Sequence, residues 1–330
     1  MDLEDQVESP LLRLEKTFVA TSPAKSAFKA IERLHRHGIR NGEGRCLMVI
    51  GPSRVGKSTV LRRYAARYPT TLRGRQIIRR VLVVRAPPNN ADSALLTAML
   101  AALGDPNPAS GSPTQREMRV VNHLRRQCVE LLCLDEVNHL IDSDSDKIGY
   151  RAANLIKALL NHGVCPIVLT GVTHAKRIVD TNEQLQGRST PTVTMRPLDW
   201  RDEKQRLEFK VFLHKLEQAM ALPAPSKLGE DTLAHRIHHF SRGLPGYAVD
   251  LLSEALILRE EEGDVLPSLT LKLLQMAADG LLLREPVRRL NALRETPPDK
   301  YEPAPMFDAL KAASRPAPKR KLGLPHDLLD

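Results

Sequence analysis

Residues 46–59 read Cys-Leu-Met-Val-Ile and then Gly-Pro-Ser-Arg-Val-Gly-Lys-Ser-Thr. An apolar run of strand length leads into a loop bounded by Gly51 and Gly56, and a helical spacing follows from Ser58 to Tyr68, ending at Pro69. Glycines let a backbone curl so that successive N–H groups point inward at phosphate oxygens. The helix after the loop adds the positive end of its dipole. Gly51, Pro52, Ser53, Arg54, Val55, Gly56, Lys57, Ser58 and Thr59 therefore form the candidate phosphate-binding loop, of the pattern GxxxxGKS. Lys57 supplies charge for the β- and γ-phosphates, and the Ser58 hydroxyl is a ligand for Mg²⁺.

A loop of this kind needs an acidic partner on another strand. The run Leu-Leu-Cys-Leu-Asp-Glu ends in Asp135 and Glu136, some 80 residues on, with a strand and helix between. Asp135 is expected to hold Mg²⁺ through its water shell, and Glu136 to polarise the attacking water. The intervening βα pair separates ATPases with an additional strand from simple kinases. Thr170, closing Pro-Ile-Val-Leu-Thr, either ends its strand or places a hydroxyl between the acidic pair and the γ-phosphate; Thr173 is the nearby substitute. Arg188, in Gln-Leu-Gln-Gly-Arg, is either a surface arginine or, in an assembly, a finger reaching a neighbour's γ-phosphate.

Apolar runs at residues 45–50, 81–84, 131–136 and 166–172 alternate with helical patterns. Strands that are apolar on both faces mean a parallel sheet covered on both sides. Ser22-Pro23 opens a helix with Phe28, Ile31 and Leu34 on its apolar face, closing near Gly38. Leu95, Leu96, Met99, Leu100 and Leu103 mark another helix, as do Met118, Val121 and Leu124, and Leu155, Ile156, Leu159 and Leu160. After Leu198 the strands stop, and helices are predicted over 203–220, 231–240, 247–259 and 268–278. The expected organisation is an N-terminal extension (1–21), a P-loop ATPase domain (22–198), a helical lid (199–283) and a basic, Pro-rich tail (284–330). Lys and Arg outnumber Asp and Glu ten to five between Arg284 and Lys321, and Leu-Pro-His-Asp-Leu-Leu-Asp at the end has the look of a docking motif.

Net charge is +10, which points to a polyanion partner. From Gly44 to Ala91 there are eleven Lys or Arg residues and no Asp or Glu. Arg73, Arg75, Arg79 and Arg80 are the candidates for phosphate contacts to duplex DNA. Aromatics make up 4% of the chain, and no recognition helix or zinc knuckle is visible, so DNA binding should follow the backbone and ignore sequence. The four cysteines read as small buried side chains, and His235, His238 and His239 as a helix surface rather than a metal site. No signal-peptide pattern opens the chain and no apolar run reaches the ~18 residues of a membrane span, so a cytoplasmic protein is expected.

The segments GPSRVGKST, LLCLDEVNHL, PIVLTGV and GRSTPTVTMRPL, in that order, resemble the AAA+ ATPases of the TniB/TnsC family, and SRGLPGYAVDLLSEA resembles that family's lid. The similarity covers about residues 22–280. It implies an α/β fold, a P-loop AAA+ parallel sheet flanked by helices with a small all-helical lid, and ATP and Mg²⁺ as cofactors. It also implies a regulator of DNA transposition that assembles as a ring or filament on duplex DNA, recruits a DDE transposase and works with a TniQ-type targeting protein. By the same resemblance Lys57 and Ser58 hold phosphate and Mg²⁺, Asp135 and Glu136 are the acidic pair, and Arg188 is the finger. The chain departs from many AAA+ lids at one point. Their γ-phosphate-sensing Arg near the start of a lid helix has no counterpart at Tyr247-Ala248-Val249, and the nearest Arg is Arg242. Other AAA+ purposes (a replication initiator, a helicase loader, a STAND-type signalling ATPase) and a non-hydrolysing scaffold are the alternatives. The short chain after residue 280 weighs against an initiator, the lack of repeats against a signalling ATPase, and Asp135-Glu136 against a scaffold.

Overall fold

The computed structural model describes residues 8–41, 44–88, 92–141, 146–261, 263, 266–283 and 293. The chain opens with α1 (Pro10–Lys16) and α2 (Ser22–Asn41), followed by β1 (Cys46–Ile50) and α3 (Lys57–Ala65). A hairpin comes next, β2 (Thr71–Arg73) and β3 (Gln76–Ile78), and then β4 (Val81–Arg85), α4 (Asp92–Ala102) and α5 (Pro113–Arg126). After β5 (Leu131–Asp135) come α6 (Asp146–Asn161), β6 (Ile167–Gly171), two short helices α7 (Arg177–Asp180) and α8 (Glu183–Gly187), and β7 (Val193–Thr194). The remaining elements are helical: α9 (Glu203–Met220), α10 (Asp231–Ser241), α11 (Pro245–Glu261) and α12 (Leu271–Leu283).

The main sheet is parallel, in the order β4-β5-β6-β1-β7. Because side chains alternate along a strand, β1 serves both faces. Cys46, Met48 and Ile50 join one core with α4, α5 and α6, through Leu96, Leu100, Val121, Leu124, Ile156 and Leu160. Leu47 and Val49 join the other, against Ile31 and Leu34 of α2 and Val60, Leu61 and Tyr64 of α3. This double burial explains why the strands are continuous apolar runs. The fifth strand, β7, is not predicted: two residues long, it is held by pairing Val49 with Val193 and Ile50 with Thr194.

The long polar loop before α5 ends where Ser112 caps the helix, with Gln115 bonded reciprocally to it and Pro113 in the first turn. Within α5, Val120, Val121 and Leu124 are buried, but Met118 is 44% exposed and does not share their face as expected. The α2 helix runs past Gly38 to Asn41, and the Ser22 hydroxyl bonds Glu208 of α9.

Helices α9–α12 share a third core built from Phe209, Phe212, Leu213, Leu216, Leu251, Leu252, Leu256 and Leu274. Leu14 of α1 and Leu198 lie in that same cluster. His238 corrects the surface reading of the histidine group: it is 1% exposed, and His235 stacks on Trp200 at 4.6 Å. Among the described residues no group of His, Cys, Asp and Glu could hold a metal ion, and no helix is long and apolar enough to cross a membrane. Cys46, Cys133 and Cys165 are buried as expected, while Cys128 is exposed.

His238 makes acid stability testable. Its Nε2–H donates to the Leu198 carbonyl at 2.7 Å. Burial pushes its imidazole down to about 4, aided by His235 and His239 and opposed by the Leu198 bond and Asp199. The unfolded chain, titrating near 6.5, binds a proton that the folded chain refuses between these values. Stability is therefore lost as pH falls from about 6.5 to about 4, and by about 3 kcal/mol at most from this residue. Burial lowers His35 as well, with the same sign. Urea midpoints should drop across this window, and His238→Gln, which can keep a donor on Leu198, should show a shallower drop. Identical pH profiles for the two proteins would assign the acid sensitivity elsewhere.

Candidate nucleotide site

Three parallel strands end at one edge of the sheet, and each delivers one part of the site. The strand β1 runs into the phosphate loop, β5 ends on Asp135, and β6, lying between them, carries Thr170. The register places Leu134 opposite Leu169 and Val49 opposite Thr170. Thr170 thus stands between the loop and the acidic pair because the strand order puts it there. Its hydroxyl donates to Asp135 Oδ1, which also accepts from the Glu136 amide at 3.0 Å. Asp135 Oδ2 has no donor among the described residues. Thr170 is 1% exposed, whereas Thr173, the substitute, is exposed at the start of a short 3₁₀ turn.

In the loop, Gly56 caps α3 with φ of 101°, a conformation closed to most side chains, and nothing lies within 4 Å of where a Cβ would stand. Gly56 immediately precedes the first turn of α3, where backbone amides have no intrahelical partner. Lys57 is 8% exposed. Its ammonium donates to the carbonyls of Gly51 and Pro52, both at 2.8 Å. Burial lowers its pKa to about 8, against the opposing pull of Asp135 and Glu136. Arg54, at the loop's crest, has φ of 64°.

Glu136 is also left-handed, with φ of 56°. Its carboxylate is held by Arg85 Nε at 2.5 Å and His139 Nε2 at 3.3 Å. The sequence reading missed both partners. The signal for Arg85 was its place at the end of β4, which pairs in register with Asp135.

Arg188 is exposed and caps α8, and its carbonyl accepts from Cys46 N at 3.0 Å. Cys46 begins β1, so Arg188 stands at the opposite end of that strand from the loop, roughly 15 Å of strand away. It does not join the site of its own chain.

The four candidate DNA-contacting arginines separate into two pairs. Arg73 and Arg75 project from the exposed β2–β3 hairpin and have no partner among the described residues. Arg79 donates to the Ala102 carbonyl. Arg80 Nε donates to both carboxylate oxygens of Glu130 at 2.9 Å, and its guanidinium lies over the Tyr68 ring at 4.9 Å. The expectation that all four are free for phosphate is corrected for these two. The run of basic residues is in fact offset by carboxylates from distant sequence: Asp250 on Arg54, Glu32 on Arg67, Glu130 on Arg80 and Glu136 on Arg85.

The family described as bacterial TniB protein matches residues 13–197. The chain belongs to the TniB family. No curated protein matches it. Among solved structures it is similar to the Cdc6p protein of Pyrobaculum aerophilum, with a TM-score of 0.59 at 15% identity over 81% of this chain and 70% of that one. It is also similar to the ORC2 protein of Aeropyrum pernix in ADPNP–ADP complexes, with a TM-score of 0.58 at 15% identity over 81% and 71%. The third is the ORC1 protein of Aeropyrum pernix in complex with DNA, with a TM-score of 0.55 at 15% identity over 83% and 69%. At that identity the likeness is one of fold. The TniB-family chain therefore has the AAA+ architecture: a five-stranded parallel sheet between helices, followed by a helical unit.

Proposed function

We propose that this TniB-family chain is an ATP-hydrolysing switch that assembles on duplex DNA and regulates transposition. The observation that carries the reading is the gathering of Lys57, Asp135, Thr170 and Glu136 at one sheet edge within a TniB-family chain. The fold likeness to a DNA-bound ORC1 protein and a nucleotide-bound ORC2 protein supports the two ligands.

ATP takes the space over Gly56, where loop amides and the α3 terminus favour phosphate. Lys57 moves its ammonium from the Gly51 and Pro52 carbonyls to the β- and γ-phosphates. Ser58 and Asp135 are hard oxygen donors of the kind Mg²⁺ prefers; they would hold the ion, which when bound supplies positive charge to the phosphates. Thr170 keeps Asp135 oriented through the bond to Oδ1. Glu136 leaves its contacts with Arg85 and His139 and accepts a proton from the attacking water. Arg188 of a neighbouring copy approaches the γ-phosphate, since its own site is out of reach. Loss of that phosphate then loosens the contact between copies. The DDE transposase and a TniQ-type protein are the partners that such an assembly would recruit and follow.

Electron microscopy with duplex DNA and a slowly hydrolysed ATP analogue tests the reading; particles that remain single subunits with and without nucleotide would refute it. The DNA surface has its own test. Each phosphate contact contributes about −0.9 to the slope of log affinity against log salt. Removing Arg73 and Arg75 together by Ala should flatten that slope by about 2 and weaken all DNA sequences alike. An unchanged slope would take the hairpin out of the interface.

A further inference from the structure

The lid helix α11 begins directly against the crest of the phosphate loop. The Gly246 amide, one of the first-turn donors that a helix cannot satisfy internally, donates to the Arg54 carbonyl at 2.8 Å. One turn further, Asp250 pairs with the Arg54 guanidinium at 3.2 Å. The same guanidinium carbon lies 6.0 Å from the centre of the Tyr247 ring. A Cβ at position 246 would stand 2.7 Å from the Arg54 carbonyl oxygen and 2.9 Å from its Cβ. The start of α11 can therefore carry no side chain at position 246, because the loop fills that space. In this contact the cation comes from the loop and the lid supplies the carboxylate.

We propose that Arg54 is the positioning residue that couples the lid to the phosphate loop. The inference rests on the proposed nucleotide site. Lys57 grips two loop carbonyls, at Gly51 and Pro52, on the near side of Arg54. Taking up a triphosphate draws the ammonium off those carbonyls and lets the loop shift. Arg54, held in a left-handed conformation (φ 64°) that leaves it little local freedom, passes that shift to α11 through one backbone hydrogen bond and one ion pair. The pair is more than half exposed on the arginine side, so it adds little to folding stability. Its role is directional: it fixes which way α11 follows.

Hydrogen–deuterium exchange of the full chain, with and without a non-hydrolysable ATP analogue and Mg²⁺, reads loop and lid separately. In the parent chain the analogue should change exchange both in residues 44–60 and in residues 244–256. In Asp250→Arg, which sets like charges against each other, the loop response should persist with nucleotide affinity within about threefold of the parent, and the α11 response should be lost. Gly246→Ala, which forces a Cβ onto the Arg54 carbonyl, gives a second disruption that leaves the charges alone and should also abolish the α11 response. If α11 responds equally in the parent, Asp250→Arg and Gly246→Ala, or fails to respond in the parent while the loop does, Arg54 is not the coupling residue. If the analogue leaves the parent's loop unchanged as well, the nucleotide site itself is wrong and the coupling falls with it.

Discussion

Replacing Glu136 with Gln is expected to lower ATP hydrolysis by a factor on the order of 10²–10⁴, the usual worth of a positioned general base. Nucleotide binding should survive, and oligomers on DNA should persist instead of turning over. The side chain keeps its length, so it can still accept from Arg85 and His139, the two groups that hold the carboxylate in place. What it loses is the ability to take a proton from water. The backbone reinforces the assignment: Glu136 directly follows the last residue of β5 in a left-handed conformation. A non-glycine residue held there is a mild strain of the kind that accumulates at functional sites. Phosphate release by the purified variant, read beside sedimentation of its DNA complexes, checks both halves. Turnover within about threefold of the parent would move the base elsewhere.

Much of this site is legible in the amino-acid sequence because its parts are local. An apolar strand, a glycine-bounded loop and a helix start are contiguous from Cys46 to Ala65, and Asp135 closes an apolar run of its own. The features that escape are set by pairing across the chain. The β7 strand has two residues and no run to announce it; it exists because Val49 and Ile50 offer it an edge. The β2–β3 hairpin joins strands of three residues each, too short for an alternating pattern to stand out. Arg79 and Arg80 look like free surface charge until Ala102 and Glu130, 23 and 50 residues away, are brought to them. Arg85 is invisible as a partner of Glu136 until β4 and β5 lie in register. His238 reads as surface because it belongs to the cluster His235, His238 and His239, yet the Leu198 carbonyl gives its ring a buried partner. Sequence patterns report what a segment does alone, and these residues acquire their roles only when separate segments meet.

Lys57→Ala should weaken ATP binding by roughly 30-fold to several thousandfold, corresponding to the 2–5 kcal/mol typical of truncating one member of a buried charge pair. With it should go nucleotide-dependent assembly on DNA. The ammonium is the positive group that burial places near Asp135 and Glu136, as their opposing pulls on its pKa record. Removing it leaves those carboxylates facing an incoming triphosphate with repulsion in place of attraction. A pH signature distinguishes this from simple damage to the loop. In the free protein Lys57 titrates at about 8, below its ordinary value, so the proton is present at neutral pH and lost above 8. Bound phosphate favours the charged form, and above 8 binding must take up a proton. Affinity in the parent should fall as pH rises through 8, by up to about tenfold per pH unit. In Lys57→Ala that share of the dependence should vanish. Calorimetric titrations at pH 7, 8 and 9, in buffers of differing ionisation enthalpy, measure the affinity and the proton together. Parent-like affinity in the variant, or a parent profile flat from 7 to 9 without proton uptake, would show that this lysine does not hold the phosphates.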